Sequence, residues 1–227
     1  MRVAARWHRL AAHGILAAPM RRLTLIRHGL TAWNLSGRFQ GTSDVPLSDA
    51  GREQARRLRP HAARLEQVDV VVSSPSRRAL ETAELAFPGR GPLPEARVRE
   101  LDFGVFEGRT LEQNERHPAW GWWTADPYQR PAPRGESYLM LQARAVAWLE
   151  EARTRWCGFH IVLVCHSGTV QMLLAHLLGV TRPRYGERLE VQHTSLSLVR
   201  FEAEATVVER VNAVPHLDPF EPAQGLT

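Results

Sequence analysis

Residues 160–168 read HIVLVCHSG, a short run of mostly apolar, β-branched residues that leads directly into a histidine, a serine and a glycine. A run of this length and composition predicts a strand that is buried on both faces of a sheet. The helical pattern that follows extends from Gly168 to Leu178 and is ended by Gly179, a residue suited to a helix C-terminus. A buried strand followed at once by a helix is typical of α/β proteins.

The rest of the chain repeats this alternation of short apolar runs with helical patterns. Ser48 is predicted to cap a helix, and Ser74-Pro75 are predicted to be the N-cap and first residue of another. The first of these helices would bury one face, formed by Ala55, Leu58, Ala62 and Leu65. The remaining predicted elements are the strands 23–26, 68–72, 195–201 and 206–211 and a long helix over 137–155. We therefore predict a three-layer α/β/α sandwich with a mostly parallel central sheet.

The predicted elements form a single domain over residues 20–213, since no inter-domain linker interrupts them. Residues 1–19 carry three arginines and no acidic residue. Their apolar run is short for a signal peptide, and we favour a loose extension or a start assigned too early over a targeting peptide. The repeated prolines of residues 214–227 predict an irregular tail.

The charge balance is unusual because all 29 basic residues are arginine. The absence of lysine excludes a lysine Schiff base and a P-loop lysine. The formal net charge of +5 includes three charges from residues 1–19, so it does not by itself predict nucleic-acid binding. An all-arginine set could reflect nucleic-acid or phosphate binding, because arginine presents a bidentate fork to phosphate, but we favour coding bias as the cause. Two cysteines form no disulfide framework, and no apolar stretch is long enough to span a bilayer, so we expect a cytoplasmic protein without a membrane partner.

Polar residues that could act on an anion follow three of the predicted strands. Arg27 and His28 come after the first strand, Arg78 lies early in the helix after the second, and His166 comes after the strand in HIVLVCHSG. Ser167 and Gly168 would then begin a helix whose N-terminus favours an anion. Each residue alone has a structural explanation, such as a solvated arginine. Because the carboxyl ends of parallel strands share one edge of a sheet, all of them could converge on one site.

Five ordered blocks of the sequence resemble the histidine phosphatase superfamily, also called the phosphoglycerate mutase-like family. They read RHGLTAWN (27–34), RFQGTSDVPLSDAGREQA (38–55), SSPSRRALETA (73–83), RELDFGVFEG (99–108) and CHSG (165–168). The resemblance runs from about Met20 to Phe201. It implies the phosphoglycerate mutase-like fold and the transfer of a phosphoryl group to a histidine.

The resemblance also implies roles for individual residues. His28 would be the nucleophile, with its second ring nitrogen donating to a backbone carbonyl, and Glu100, rather than the nearby Asp102 or Glu107, would be the general acid. Arg27, Arg78 and His166 would surround the phosphoryl group, so we expect no metal and no cofactor. The residues expected to bind phosphate or substrate are Asn34, Gln40, Gly41, Ser167, Gly168 and Arg38. Of these, Arg38 alone has the alternative of lying in solvent.

Phosphatases and mutases of this family share the same pocket, and the surrounding segments favour a phosphatase. The segment after Glu100 reads LDFG, where the mutases carry an RHYG-like block. The expected substrate is a small phosphorylated metabolite rather than nucleic acid, and a monomer and a homodimer both remain open. Residues 120–136 either set the specificity through their tryptophans and arginines or close the core. A phosphoglycerate mutase dependent on a bisphosphate is the first alternative, and a non-catalytic binder of anionic partners is a distant one.

Overall fold

The structure is a computed structural model that describes residues 20–65, 67–181 and 189–217. The predicted extension, residues 1–19, and residues 218–227 of the predicted tail lie outside the described residues. The strands are β1 (Arg22–Arg27), β2 (Val68–Ser73), β3 (Leu93–Pro94), β4 (His160–Cys165), β5 (Leu196–Phe201) and β6 (Thr206–Ala213). The α-helices are α1 (Ala32–Leu35), α2 (Asp49–Ala62), α3 (Arg77–Ala86), α4 (Leu111–Glu115), α5 (Trp120–Thr124), α6 (Tyr138–Arg155) and α7 (Ser167–Leu177).

The strands form one sheet in the order β3-β2-β4-β1-β5-β6. The pairings of β3 with β2, β2 with β4 and β4 with β1 are parallel. Strands β5 and β6 extend the sheet as an antiparallel hairpin beside β1. The predicted mostly parallel α/β architecture is therefore confirmed, and the hairpin at one edge is its antiparallel part.

Strand β4 lies in the middle of the parallel part and is completely buried. Its side chains alternate between two cores, because successive residues of a strand point to opposite faces. Ile161 and Leu163 pack with helices α6 and α7 on one face. Val162 and Val164 pack with helices α2 and α3 on the other. These two cores produce the three layers of the sandwich.

The predicted helix starts are confirmed at Ser48 and wrong by two residues at Ser74. The Ser48 hydroxyl accepts a hydrogen bond from the Gly51 amide at 3.1 Å, as an N-cap should. Helix α3, in contrast, begins at Arg77 after an N-cap at Ser76. Ser74 still belongs to the sheet, because its amide donates to the Val164 carbonyl at 2.9 Å and continues the pairing with β4, and the helix begins only after it.

Helix α7 ends as its glycine predicts. Gly179 has φ +70°, a left-handed conformation in which a side chain would be strained. The amides of Gly179 and Val180 donate to the carbonyls of His176 and Ala175, which satisfies the last turn of the helix in a Schellman motif. Of the helices that the described ranges contain, not one is long and apolar enough to cross a membrane.

Candidate active site

The two histidines that follow β1 and β4 face each other at the carboxyl edge of the sheet. Arg27 pairs with Cys165 in the parallel register, so the next residue of each strand, His28 and His166, lies beside the other. Their ring centroids are 5.2 Å apart. The His28 amide donates to the Cys165 carbonyl at 2.9 Å, which extends the pairing into the site. The topology therefore brings together the two histidines that the sequence motifs single out.

His28 is held in the neutral form that a nucleophile needs. Its Nδ1 lies 2.7 Å from the Gly29 carbonyl oxygen, which can only accept a hydrogen bond. The hydrogen is therefore on Nδ1, and Nε2 carries the free lone pair. Burial, reinforced by the charges of Arg78 and Arg27, holds the pKa of His28 well below its usual range. Near neutral pH the ring is thus a neutral nucleophile with a defined tautomer.

Arg78 brings a positive charge into the interior, and its side chain is completely buried. Its terminal nitrogens donate to the carbonyls of Ser43 at 2.9 Å and Gly41 at 2.7 Å. Burial lowers the pKa of Arg78 to about 10, so the guanidinium remains charged near neutral pH. Its Nε is buried and has no hydrogen-bond partner among the described residues. A cation this deeply buried needs further acceptors, and a bound anion would supply them.

Glu107 holds the same loop from the other side. Its carboxylate accepts hydrogen bonds from the amides of Gly41 at 3.2 Å and Ser43, and from the Thr42 hydroxyl at 3.0 Å. Residues 41–43 are therefore clamped between Arg78, which binds their carbonyls, and Glu107, which binds their amides. A Cβ on Gly41 would lie 2.1 Å from the Leu101 carbonyl oxygen, so the loop can approach this closely only with glycine there.

Glu100 is a buried carboxyl group directed at the N-terminus of helix α7. Its two oxygens accept from the amides of Leu101 at 2.9 Å and Gly168 at 3.0 Å. A Cβ on Gly168 would lie 2.5 Å from Glu100 Oε1, so the carboxyl group occupies the space that a side chain would need. Burial raises the pKa of Glu100 in spite of these hydrogen bonds and the nearby arginines. A raised pKa favours the protonated form of the carboxyl group, which a general acid needs.

His166 is the N-cap residue of helix α7 and is fully buried. Its Nε2 lies 2.8 Å from the Ser74 hydroxyl, which itself donates to the Ser76 hydroxyl at 3.2 Å. The Nε2 therefore donates to Ser74. The other ring nitrogen, Nδ1, is buried and without a hydrogen-bond partner in the described part of the chain. Burial, together with the charge of Arg78, keeps the pKa of His166 well below its usual range.

The sequence matches the family model of the histidine phosphatase superfamily (branch 1) over residues 23–214. The chain belongs to this superfamily. It is 32% identical over 207 residues to phosphoserine phosphatase 1 of Hydrogenobacter thermophilus, an alignment that covers 88% of this chain and 96% of the relative. It is 33% identical over 210 residues to a probable phosphoglycerate mutase of Photorhabdus laumondii, with the same two coverages. A mutant phosphoserine phosphatase from Entamoeba histolytica, solved in complex with phosphoserine, superposes with a TM-score of 0.77 at 26% identity, over 87% of this chain and all of that one.

The protein is thus a histidine phosphatase, a phosphomonoester hydrolase with the phosphoglycerate mutase-like fold. The family recognition, the fold class and the enzyme class predicted from the motifs are confirmed. Within residues 20–65, 67–181 and 189–217, His, Cys, Asp and Glu side chains do not form a group of three or more that could hold a metal ion.

Asn34 and Gln40 of the histidine phosphatase meet around Thr31. The Asn34 Oδ1 accepts from the Thr31 amide at 3.0 Å, and the Gln40 Oε1 accepts from the Thr31 hydroxyl at 2.7 Å. The Gln40 Nε2 is buried, and the described residues offer it no hydrogen-bond acceptor. Both amide oxygens are thus used within the protein, which leaves amide nitrogens as the groups that could donate to an anion.

Two other predicted binding residues have different surroundings. The Arg38 guanidinium donates to the Gly108 carbonyl at 2.6 Å, and Arg38 forms an isolated bridge with Thr110. The structure therefore shows Arg38 tying two loops together rather than lying free in solvent. Ser167 opens helix α7 beside His166, and the next amide, that of Gly168, donates to Glu100.

The tryptophan-rich segment divides into a buried and an exposed part. Trp123 is buried with Phe103 and Phe106, and Trp120 packs against the same cluster. The ring centroids of Trp120 and Trp123 are 5.3 Å apart. Trp122 is 50% exposed, and the Arg130 guanidinium lies 5.3 Å from its ring. Residues 120–136 were expected either to set the specificity or to close the core, and Trp120 and Trp123 close the core.

Sequence reasoning missed His193 and the loop-holding role of Glu107. The ring of His193 lies 5.8 Å from that of His28, centroid to centroid. The sequence predicted the strand that follows His193 but not its direction. Because β5 runs antiparallel to β1, residues just before β5 lie at the edge where β1 ends. No signal in the sequence indicated the role of Glu107 either, because its partners are backbone amides of a loop more than 60 residues away.

Proposed function

We propose that the protein hydrolyses phosphomonoesters of small metabolites in two steps, through a phosphohistidine on His28. The observation that carries this proposal is the defined tautomer of His28, whose Nδ1–H donates to the Gly29 carbonyl. This hydrogen bond leaves Nε2 free to attack phosphorus. The positive charges of Arg27 and Arg78 both lower the pKa of His28, so both lie close enough to balance the negative charge of a phosphoryl group bound there.

In the first step, the His28 Nε2 attacks phosphorus and the bond from phosphorus to the ester oxygen breaks. Glu100, in its protonated form, donates its proton to the departing oxygen, so that an alcohol leaves. The positive charges of Arg27 and Arg78 offset the negative charge of the equatorial oxygens, and the neutral ring of His166 lies beside His28 at the same edge of the sheet. The raised pKa of Glu100 supports this role, since burial favours the protonated form that a general acid needs.

In the second step, the Glu100 carboxylate accepts a proton from water while the water oxygen attacks phosphorus. The phosphorus–nitrogen bond breaks, inorganic phosphate leaves, and neutral His28 and protonated Glu100 are restored. The amides of Leu101 and Gly168 hold the carboxyl group in one place for both proton transfers. Gly168, predicted to bind phosphate, would on this geometry position the general acid instead.

We propose phosphoserine as the first substrate to test. Two relatives, from Hydrogenobacter thermophilus and Entamoeba histolytica, are phosphoserine phosphatases, and the second was solved with phosphoserine bound. The relative named as a probable phosphoglycerate mutase makes phosphoglycerate the second substrate to test. We expect the protein to release inorganic phosphate from phosphoserine. In a separate assay with a bisphosphate present, we expect it not to convert 3-phosphoglycerate to 2-phosphoglycerate. Conversion without phosphate release would instead establish a mutase.

The mechanism is tested by trapping the intermediate. Rapid quench with a ³²P-labelled substrate should leave acid-labile, base-stable label on the wild-type protein and none on His28→Ala. His176→Ala is a matched control, because His176 is partly exposed at the end of helix α7, away from His28. An active His28→Ala variant would refute the proposal.

The role of Glu100 is tested through the leaving group. Glu100→Gln should lose about 10²- to 10⁴-fold in rate with an alkyl phosphate, the usual contribution of a general acid. The loss should be much smaller with nitrophenyl phosphate, whose leaving group needs little protonation. Equal losses with both substrates would exclude Glu100 as the acid.

A further inference from the structure

We infer that His193 is a third histidine of the site and that its Nε2 donates a hydrogen bond to the phosphoryl group, both in the bound substrate and on His28. The inference rests on the proposed function and adds a substrate contact that the sequence motifs do not contain. The His193 and His28 rings meet edge to face, with centroids 5.8 Å apart and planes inclined by 65°.

The Nε2 of His193 lacks a partner that the described protein could supply. It is buried, and no acceptor or donor among residues 20–65, 67–181 and 189–217 forms a hydrogen bond with it. A buried ring nitrogen without a partner is destabilising, and such groups in native proteins usually meet a ligand or a water. Since His193 adjoins His28, the group that would reach both is the one that His28 binds.

The electrostatic surroundings of His193 indicate the charge of this missing partner. Burial, together with the charge of Arg27, holds the pKa of His193 well below its usual range. The ring is therefore neutral near neutral pH and has a single N–H group to donate. A positive neighbourhood attracts an anionic acceptor, and a phosphoryl oxygen is such an acceptor.

The turn that carries His193 is tied to the strand that carries His28. Thr194 has φ +58°, an unusual and strained conformation for a β-branched residue. Its amide donates to the Arg27 carbonyl at 3.0 Å, which keeps the turn against the end of β1. Because such a conformation persists only where the surroundings enforce it, the position of His193 is defined rather than variable.

A second contact holds this turn from the C-terminal side. The Thr194 hydroxyl donates to the His193 carbonyl at 2.7 Å, and the His216 Nε2 lies 2.7 Å from the same hydroxyl. The single hydroxyl hydrogen is used by His193, so His216 is the donor of the second bond. The same stretch of chain supplies the Val191 carbonyl that accepts from the Arg27 Nη1 at 2.6 Å. The position of His193 and that of the Arg27 guanidinium thus depend on one short segment.

The test compares two substitutions of His193 that differ in the hydrogen bond. His193→Phe keeps a planar ring but has no donor, whereas His193→Gln keeps an N–H donor. The loss of a hydrogen bond to a charged group predicts a fall in kcat/KM of about 10- to 100-fold for His193→Phe. His193→Gln should stay within about fivefold of the wild type. His176→Phe is the control for adding a phenyl ring at a histidine outside the site.

Binding of inorganic phosphate separates a contact from a structural role. The inhibition constant for phosphate should rise about tenfold in His193→Phe and much less in His193→Gln, with unfolding midpoints in urea close to that of the wild type. An unchanged inhibition constant in His193→Phe, or equal impairment of both variants, would overturn the inference. The outcome is distinguishable from failure of the mechanism, since wild-type phosphate binding does not depend on a phosphohistidine, which the trapping experiment tests separately.

Discussion

The substitution Gly168→Ala tests how the general acid is positioned without removing any functional group. The new Cβ would lie 2.5 Å from Glu100 Oε1 and 3.3 Å from Leu141 Cδ2, where ordinary van der Waals contact begins at 3.4 Å. Relief of the closer contact requires the carboxyl group to move by about 0.9 Å, the difference between 3.4 and 2.5 Å. A displacement of about 1 Å can reduce a rate by roughly 10²-fold. We therefore expect kcat with an alkyl phosphate to fall by about that factor.

The assay compares an alkyl phosphate with nitrophenyl phosphate, because only the first substrate needs the proton of Glu100. The loss with nitrophenyl phosphate should be several times smaller. Gly121→Ala is the matched control, since a Cβ at this helical position meets no atom within 4 Å. The control should have wild-type kinetics with both substrates, and urea unfolding should show that both variants are folded.

The double variant Gly168→Ala/Glu100→Gln supplies the decisive comparison. If the new methyl group acts by moving the carboxyl group, the double variant should be no slower than Glu100→Gln alone, because coupled substitutions are not additive. Additive losses would show that Gly168 acts through something else, such as the geometry of helix α7. Wild-type kinetics of Gly168→Ala with the alkyl phosphate would refute the reasoning altogether.

Two further predictions concern the loop clamp and the buried histidine. Glu107→Gln leaves one acceptor oxygen where three donors of residues 41–43 now converge, so KM should rise about tenfold. The control Glu112→Gln, at an exposed glutamate, should keep the wild-type KM. Equal KM values for the two variants would contradict the clamp. The lowered pKa of His166 means that the folded protein binds fewer protons than the unfolded chain below about pH 6.5, so this residue makes stability fall as pH decreases, by up to about 1.4 kcal/mol per pH unit. His166→Gln should therefore show a shallower decline in the free energy of urea unfolding between about pH 6.5 and 5, and identical slopes would disprove the neutral state of His166.

The elements that were predicted well are those whose pattern reflects their own burial. Strand β4 is apolar along its whole length because it lies between two neighbouring strands and two layers of helices. The boundary at Ser74 was wrong for a reason that no local pattern contains. Ser74 combines the usual features of a helix cap, yet its amide is paired with Val164 of a distant strand. Tertiary pairing thus outweighed a local preference.

The candidate site divides in the same way. The sequence alone predicted that His28, His166 and Arg78 lie at the carboxyl edge of the sheet, because they follow strands whose parallel arrangement it indicates. The position of His193 could not be predicted, since it depends on an antiparallel hairpin and on a strained turn at Thr194. Whether Gly168 faces phosphate or Glu100 was equally beyond the sequence.

Motifs in the amino-acid sequence were sufficient for the family, the fold class and the two histidines and buried arginine at the centre of the site. Only the folded chain decided which atoms are free to react. A histidine motif does not specify which ring nitrogen carries the hydrogen. In His28 this depends on the hydrogen bond to the Gly29 carbonyl. The motifs do not specify the ionisation of Glu100 either, since that depends on burial by segments far apart in the chain. Residue identities are local, whereas desolvation and hydrogen bonding are properties of the assembled interior.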